Sequence, residues 1–193
     1  MSSFALFTDV SLNPQLKSGV GGYLLVPVSF LEIEPHKVEQ AEVSTLLKTK
    51  HFTDTSSTKL EVQTVLWAIE NSLEELTHSA RGNLQVYTDS QCVAGLLSRR
   101  ARLTDNDFVA KRSGKPLINA RLYREFYDAY DKLGFQLIKV SGHSRASSHD
   151  TVHRIFSYVD REARKALTSW IDSTEKSLPA FAGPHSQELR KRQ

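Results

Sequence analysis

The sequence predicts an α/β fold: a mixed five-stranded sheet with helices on both faces, strands 1–3 antiparallel and strands 4 and 5 parallel to strand 1. Three observations predict it. Short β-type runs open the chain, and segments of helical period separate the later ones. The first three runs follow one another without a helix-length connection, as an antiparallel meander does, whereas the helical connections after the third and fourth imply parallel crossovers. Finally, Phe4-Ala5-Leu6-Phe7-Thr8-Asp9-Val10-Ser11 is echoed by Leu84-Gln85-Val86-Tyr87-Thr88-Asp89-Ser90-Gln91. Each is an apolar run that ends in Thr-Asp, so each sets a carboxylate just past a strand.

Residues 4–10 read as the first strand and 20–28 as the second, with Asn13-Pro14 and Gly19 marking the turn between them. Residues 37–48 read as a weaker third. Val62, Val65, Leu66, Ile69, Leu73 and Leu76 recur at helical spacing after the N-cap-competent Ser56, Ser57 and Thr58. Gly82-Asn83 ends that helix, and residues 84–88 form the fourth strand. A helix is expected from Ser90 to about Arg100, an irregular basic segment over 99–115, and a helix from Ile118 to Leu133 stopped by Gly134. Phe135 to Val140 is the fifth strand. The last helix is expected from Ser157 to Ile171, with Val159, Ala163, Ala166, Leu167, Trp170 and Ile171 inward. One domain over 1–172 is thus followed by a flexible basic tail, 173–193, with two prolines, a glycine and Arg190-Lys191-Arg192.

A chain of 193 residues builds one hydrophobic core more readily than two. The single cysteine, Cys92, excludes an intrachain disulfide and fits a reducing compartment. The N-terminus lacks the basic opening of a secretory signal, and Gly19–Leu31 is too short and broken to span a bilayer. A cytoplasmic protein without membrane association is expected. Net charge is +3, but Arg99, Arg100, Arg102, Lys111, Arg112 and Lys115, set against Asp105 and Asp107, leave +4 on one segment and −1 on the rest. A local basic patch fits a polyanion such as nucleic acid. It fits a solvated surface loop equally well.

Asp9 and Asp89 fall at neighbouring strand ends if strands 1 and 4 are parallel neighbours, and ligands of open α/β sheets bind beyond the carboxyl ends of strands. Two carboxylates there read either as a hard-metal site or as an acid/base pair. Glu61, near the start of the amphipathic helix, and Asp160, expected in the first turn of the last helix, can reach the same end. Each has an ordinary alternative, because acidic residues near helix N-termini complement the helix dipole. Clustered carboxylates raise one another's pKa and call for cations. With no cysteine among them, the donors are hard oxygens suited to Mg²⁺ or Mn²⁺. Two such ions about 4 Å apart activate a water and stabilise the leaving oxygen in phosphodiester hydrolysis.

Phe7-Thr8-Asp9-x-Ser11, Asn13-Pro14, Gly21-Gly22-Tyr23, Lys59-Leu60-Glu61, Thr88-Asp89-Ser90-Gln91, Gly142-His143 and Val159-Asp160, in that order, resemble type 1 ribonuclease H across roughly residues 4 to 170. The resemblance implies the ribonuclease H-like fold and cleavage of the RNA strand of RNA–DNA hybrids, leaving 3′-hydroxyl and 5′-phosphate ends. It implies two Mg²⁺ ions, replaceable by Mn²⁺, on Asp9, Glu61, Asp89 and Asp160, with Asp9 shared by both. It gives His143 a part in proton transfer or product release, for which a near-neutral pKa suits it. It also places Asn13, Ser57, Thr58 and Gln91 on the hybrid's minor groove or a DNA phosphate, and likens Arg99, Arg100, Lys111 and Arg112 to a basic protrusion on the duplex backbone. A monomer is expected.

Two departures stand out. Val10 follows the first aspartate where a small residue is common, which narrows the space beside it. Sixteen residues separate His143 from Asp160, and they bring Asp150 into competition as the fourth carboxylate. His149 and His153, four apart, have the spacing of a zinc pair but lack a third ligand. A silent nucleic-acid-binding module of the same fold and a related nuclease acting on DNA are the alternatives.

Overall fold

The computed structural model describes residues 3–77, 82–141 and 150–177. β1 (Phe4–Asn13) and β2 (Ser18–Pro27) form an antiparallel hairpin from Phe4↔Pro27 to Asn13↔Ser18. Asn13 closes its turn: the side-chain oxygen accepts the N–H groups of Gln15 and Leu16, each at 3.1 Å.

The expected third strand at 37–48 is not a strand. Two 3₁₀ turns, Val28–Glu32 and Pro35–Lys37, lead into helix α1 (Gln40–Leu46), and β3 begins only at Lys48 and ends at Phe52. Val43, Leu46 and Leu47 stand at i, i+3 and i+4, a helical spacing that strand alternation misreads. β3 pairs antiparallel with β2 at the sheet edge, where exposed Lys48 and Lys50 discourage pairing with another chain.

The stripe from Val62 to Leu76 spans two helices, α2 (Ser57–Asn71) and α3 (Leu73–Thr77), which break at Ser72. β4 (Leu84–Thr88) then pairs parallel with β1 from Phe4↔Leu84 to Phe7↔Tyr87. The helix expected over 90–100 is likewise two, α4 (Gln91–Ala94) and α5 (Leu96–Asp105), joined at Gly95. The basic segment therefore starts on a helix, and only the part beyond Asp105 is irregular. α6 (Ala120–Leu133) ends at Gly134, whose φ of 65° is the left-handed cap that glycine favours. β5 (Gln136–Lys139) pairs parallel with β4, giving the order β3-β2-β1-β4-β5.

α7 runs from Thr151 to Ser177, so it starts six residues before the expected Ser157 and passes the expected boundary at 172. Asp150 sets its start by accepting the His153 N–H at 2.9 Å, and Ile155 and Phe156 supply buried residues that the shorter helix leaves out. The tail beyond Ser177 lies outside the described residues.

Strand alternation divides the core. Leu6 and Val86 face one layer with Val62, Val65 and Phe126. Ala5, Phe7 and Tyr87 face the other with Ile155 and Val159. Among the described residues no helix is long and apolar enough to cross a membrane.

Candidate active site

Phe7 pairs with Tyr87, and Asp9 and Asp89 each follow two residues later, so parallel pairing brings both aspartates to the same end of adjacent strands. Two glycines bring helices down on either side of that end. Gly21 lies so close to α2 that an added Cβ would stand 2.1 Å from Thr64 Oγ1. Gly22, opposite Asp9, gives room to α7: an added Cβ there would meet Ala163 Cβ at 3.5 Å and Val159 Cγ1 at 3.7 Å. α2 thereby presents Glu61 and α7 presents Asp160. Asp160 lies in the third turn of α7 and not in its first turn, because the helix begins at Thr151. Its place therefore comes from packing on Gly22 and owes nothing to the helix N-terminus.

Thr8, Asp9, Val10, Glu61, Thr88 and Asp89 line a cleft of about 10 Å³, roughly the space of one water. Asp9 sits at its centre. Its Oδ1 accepts the Val10 N–H at 2.8 Å. Burial above all, then the charge of Asp89, push its pKa up to about 8; the Val10 N–H opposes this, and the charge and hydrogen bond of Asp160 add to it. The Asp160 carboxylate also pairs with Arg164 Nε at 2.7 Å. Glu61 accepts from Ser57 Oγ at 3.1 Å and from Ser90 Oγ through its other oxygen. Burial and the neighbouring carboxylates thus favour a proton on Asp9, two hydroxyls hydrogen-bond to Glu61, and an arginine pairs with Asp160. Among the described residues no group of three or more His, Cys, Asp or Glu side chains is disposed as a finished metal site. The donor set, carboxylate oxygens with no thiolate among them, still suits a hard cation, whose charge would offset the repulsion that Asp89 and Asp160 add to the burial of Asp9.

Asp150 caps α7 and pairs with His153 Nδ1 at 2.8 Å. Burial pushes its pKa up, but the backbone and ring hydrogen bonds of His153 outweigh this and lower it overall. It is Asp160, not Asp150, that hydrogen-bonds to Asp9. His143 and His149 lie outside the described residues.

Ser57 is exposed on the first turn of α2, and Thr58 beside it is half-buried. Gln91 is exposed on α4, where its side-chain oxygen accepts from Lys139 at the end of β5. Asn13 lies four residues beyond Asp9, at the hairpin turn. In the basic run, Arg99 is turned inward, donating to the Gly95 carbonyl at 2.9 Å and the Cys92 carbonyl at 2.6 Å. Arg100 makes a two-pronged pair with Asp131, both contacts 2.6 Å. Lys111 and Arg112 are exposed beyond α5, and Lys111 lines a groove of about 760 Å³ with Arg102, Lys115 and Tyr123.

Two site residues escape a reading of the sequence. Ser90 accepts the Val93 N–H at 3.1 Å as the N-cap of α4 while its hydroxyl donates to Glu61. The signal for it is a cap-type residue between Asp89 and a helix. Arg164 stands four residues after Asp160, the helical ion-pair spacing. Ser90→Ala is expected to cost about 1 kcal/mol for the lost cap, together with a measurable loss of catalytic rate as Glu61 gains rotamers. Denaturant melts and kinetics on one preparation separate the two effects; a variant with both values unchanged rules out the bridging role.

The model of the RNase H family matches residues 1–168. Among curated proteins none matches the sequence. Of solved structures, one of the foamy viral protease-reverse transcriptase in complex with dsDNA is 14% identical, with TM-score 0.52, covering 83% of this chain and 94% of that chain. Another, of the same foamy viral protein in complex with RNA/DNA hybrid, is 13% identical, with TM-score 0.55, covering 87% of this chain and 20% of that one. Such identities speak to the fold alone. The family match covers Asp9, Glu61, Asp89 and Asp160, and the chain belongs to the RNase H family as a ribonuclease H.

Proposed function

We propose that the protein hydrolyses the RNA strand of RNA–DNA hybrids with divalent metal, leaving 3′-hydroxyl and 5′-phosphate ends. The observation that carries the reading is the burial of Asp9 between Asp89 and Asp160 at the shared end of β1 and β4, with Glu61 lining the same cleft. Asp9, Glu61, Asp89 and Asp160 would hold two Mg²⁺ ions, or Mn²⁺ in their place, with Asp9 common to both. Bound there, the metal would supply an activated water and stabilise the charge on the leaving 3′ oxygen.

The chain's own residues orient the substrate. Ser57 and Ser90 fix Glu61 from two sides. Lys139 occupies the Gln91 carbonyl, which leaves the Gln91 amide N–H₂ outward as a donor to base edges or 2′-hydroxyls. Ser57, Thr58 and Asn13 extend that polar track. Lys111 and Arg112, exposed beside the groove, grip phosphates, whereas Arg99 and Arg100 are held by protein partners, Arg99 on the groove wall. His143 would handle a proton at the cleft. The complex of the foamy viral neighbour with RNA/DNA hybrid supports this substrate.

The test is a cleavage panel: labelled hybrid, RNA duplex and DNA duplex, each with Mg²⁺ and with EDTA. Cutting confined to the RNA strand of the hybrid and dependent on Mg²⁺ is expected. Binding without cutting would identify a silent module, and cutting of the DNA duplex would identify a DNA nuclease. Lys111→Ala with Arg112→Ala is expected to raise KM several-fold at low salt and flatten its salt dependence, with kcat within about threefold, because phosphate contacts act through counterion release. Kinetics at three salt concentrations check this, and an unaltered slope assigns the two side chains to bulk solvent.

A further inference from the structure

The connection between β2 and β3 is far longer than pairing requires. The strands are antiparallel neighbours, which a two-residue hairpin can join. Here residues 28–47 intervene, with two 3₁₀ turns and α1. This insert is not a loose surface loop. Val38 is 1% exposed and Val43 0%, and both pack into the layer that holds Ile155, Phe156 and Val159 of α7.

Its polar ties also go to α7. Thr151 Oγ1 donates to the Ile33 carbonyl at 2.5 Å. The Val38 carbonyl accepts twice, from Arg154 Nε at 3.1 Å and from Tyr158 Oη at 3.3 Å. Arg161 donates to Gln40 Oε1 at 2.5 Å. The guanidinium groups of Arg154 and Arg161 flank the Tyr158 ring, 5.6 and 5.7 Å from its centroid. Thr151, Arg154, Tyr158 and Arg161 follow at i, i+3, i+7 and i+10, so they share one face of the helix. Asp160 is two residues from Tyr158, roughly 200° around the helix, on the side away from the insert.

Against the sheet, α7 rests on Gly22 through Val159 and Ala163, small side chains at contacts of 3.5 to 3.7 Å from a notional Cβ. Ile155, Phe156 and Val159 hold that side of α7 in the core with Phe7 and Tyr87, and the ties to the insert add a second point of restraint on its rotation. We propose that the 28–47 insert is a brace that sets the rotation of α7, and that Tyr158 and Arg154 are positioning residues holding the Asp160 carboxylate toward Asp9. The inference rests on the reading of Asp160 as a metal-holding carboxylate.

The test pairs Tyr158→Phe with Arg154→Met, which keeps ring and stem packing but removes both donors from the Val38 carbonyl. The probe is Mn²⁺, titrated calorimetrically into the full chain, with Asp160→Asn as reference and amide hydrogen exchange over 152–162 as a second readout. The double variant is expected to bind Mn²⁺ about three- to tenfold more weakly and to exchange faster over that stretch. At saturating metal its kcat returns to within about twofold of the parent, and KM for the hybrid does not move. A purely structural role for the pair would lower the melting temperature without shifting metal affinity, and that result overturns the brace. Should the double variant not fold, Tyr158→Phe alone is read at the same endpoints, with a twofold or greater weakening expected and an unchanged affinity fatal. Asp160→Asn separates the two levels. If it leaves Mn²⁺ affinity intact, the reading of Asp160 fails; if it weakens binding and the Val38 donors do not matter, the brace alone fails.

Discussion

Asp9→Asn is expected to abolish at least about a thousandfold of hybrid cleavage, a barrier increase of about 4 kcal/mol, while leaving the fold intact. Asparagine has the same shape and can still accept the Val10 N–H that Asp9 Oδ1 accepts at 2.8 Å. Only the charge is lost, and charge is what the proposed two-metal site would need from Asp9. The variant carries a second expectation, in EDTA. The Asp9 pKa of about 8 lies above the ordinary value of 3.8, so between those values the folded protein holds a proton that the unfolded chain releases. The stability this provides is complete below about pH 4 and is lost as pH rises through 8. The substituted amide does not titrate. The variant should therefore match the parent at pH 4 and grow more stable than it as pH rises, with a limiting slope of about 1.4 kcal/mol per pH unit. Metal-free thermal melts from pH 4 to 9 measure the gap. A gap that stays flat means the site does not strain Asp9, and cleavage within tenfold of the parent removes the metal assignment.

Much of this architecture is legible because its signals are local. The Thr-Asp echo marks two strand ends, and the parallel pairing of β1 with β4 turns that echo into proximity. Gly134 and the apolar stripe of α6 announce one helix end and one buried face. What stays hidden depends on contacts distant in sequence. Val38 and Val43 read as strand residues until their partners Ile155 and Val159, more than a hundred positions away, are known. The start of α7 reads too late because His149-Asp150-Thr151 looks like a polar loop, although Asp150 is a good cap. Arg99 and Arg100 read as free charges; nothing in the run itself tells that Asp131 and the backbone of α4 take them up. In the cleft, residue types alone point to the carboxylates, whereas the bridging role of Ser90 needs the geometry of α2 and α4 together.

Gly21→Ala is expected to destabilise the protein by about 3 kcal/mol or more, at the upper end for overpacking a filled core. The added Cβ would stand 2.1 Å from Thr64 Oγ1 and 2.9 Å from Thr64 Cβ. Thr64 has no way to yield. It is 0% exposed, β-branched, and its hydroxyl donates to the Leu60 carbonyl at 2.8 Å. The strain must go into the backbone, lifting α2 from the sheet and with it Glu61, so residual folded protein should also cleave poorly. Gly22→Ala is the internal control. It changes the neighbouring residue of the same strand, but toward α7, where the nearest atom is Ala163 Cβ at 3.5 Å, an ordinary contact. Its cost should stay near about 1 kcal/mol or below. For a chain of this size 3 kcal/mol is roughly 6 to 12 °C in Tm, so side-by-side melts of the two variants resolve the difference. Equal melting temperatures would mean that α2 is free to settle further from β2, and that the close approach of helix to strand is not what fixes Glu61 beside Asp9.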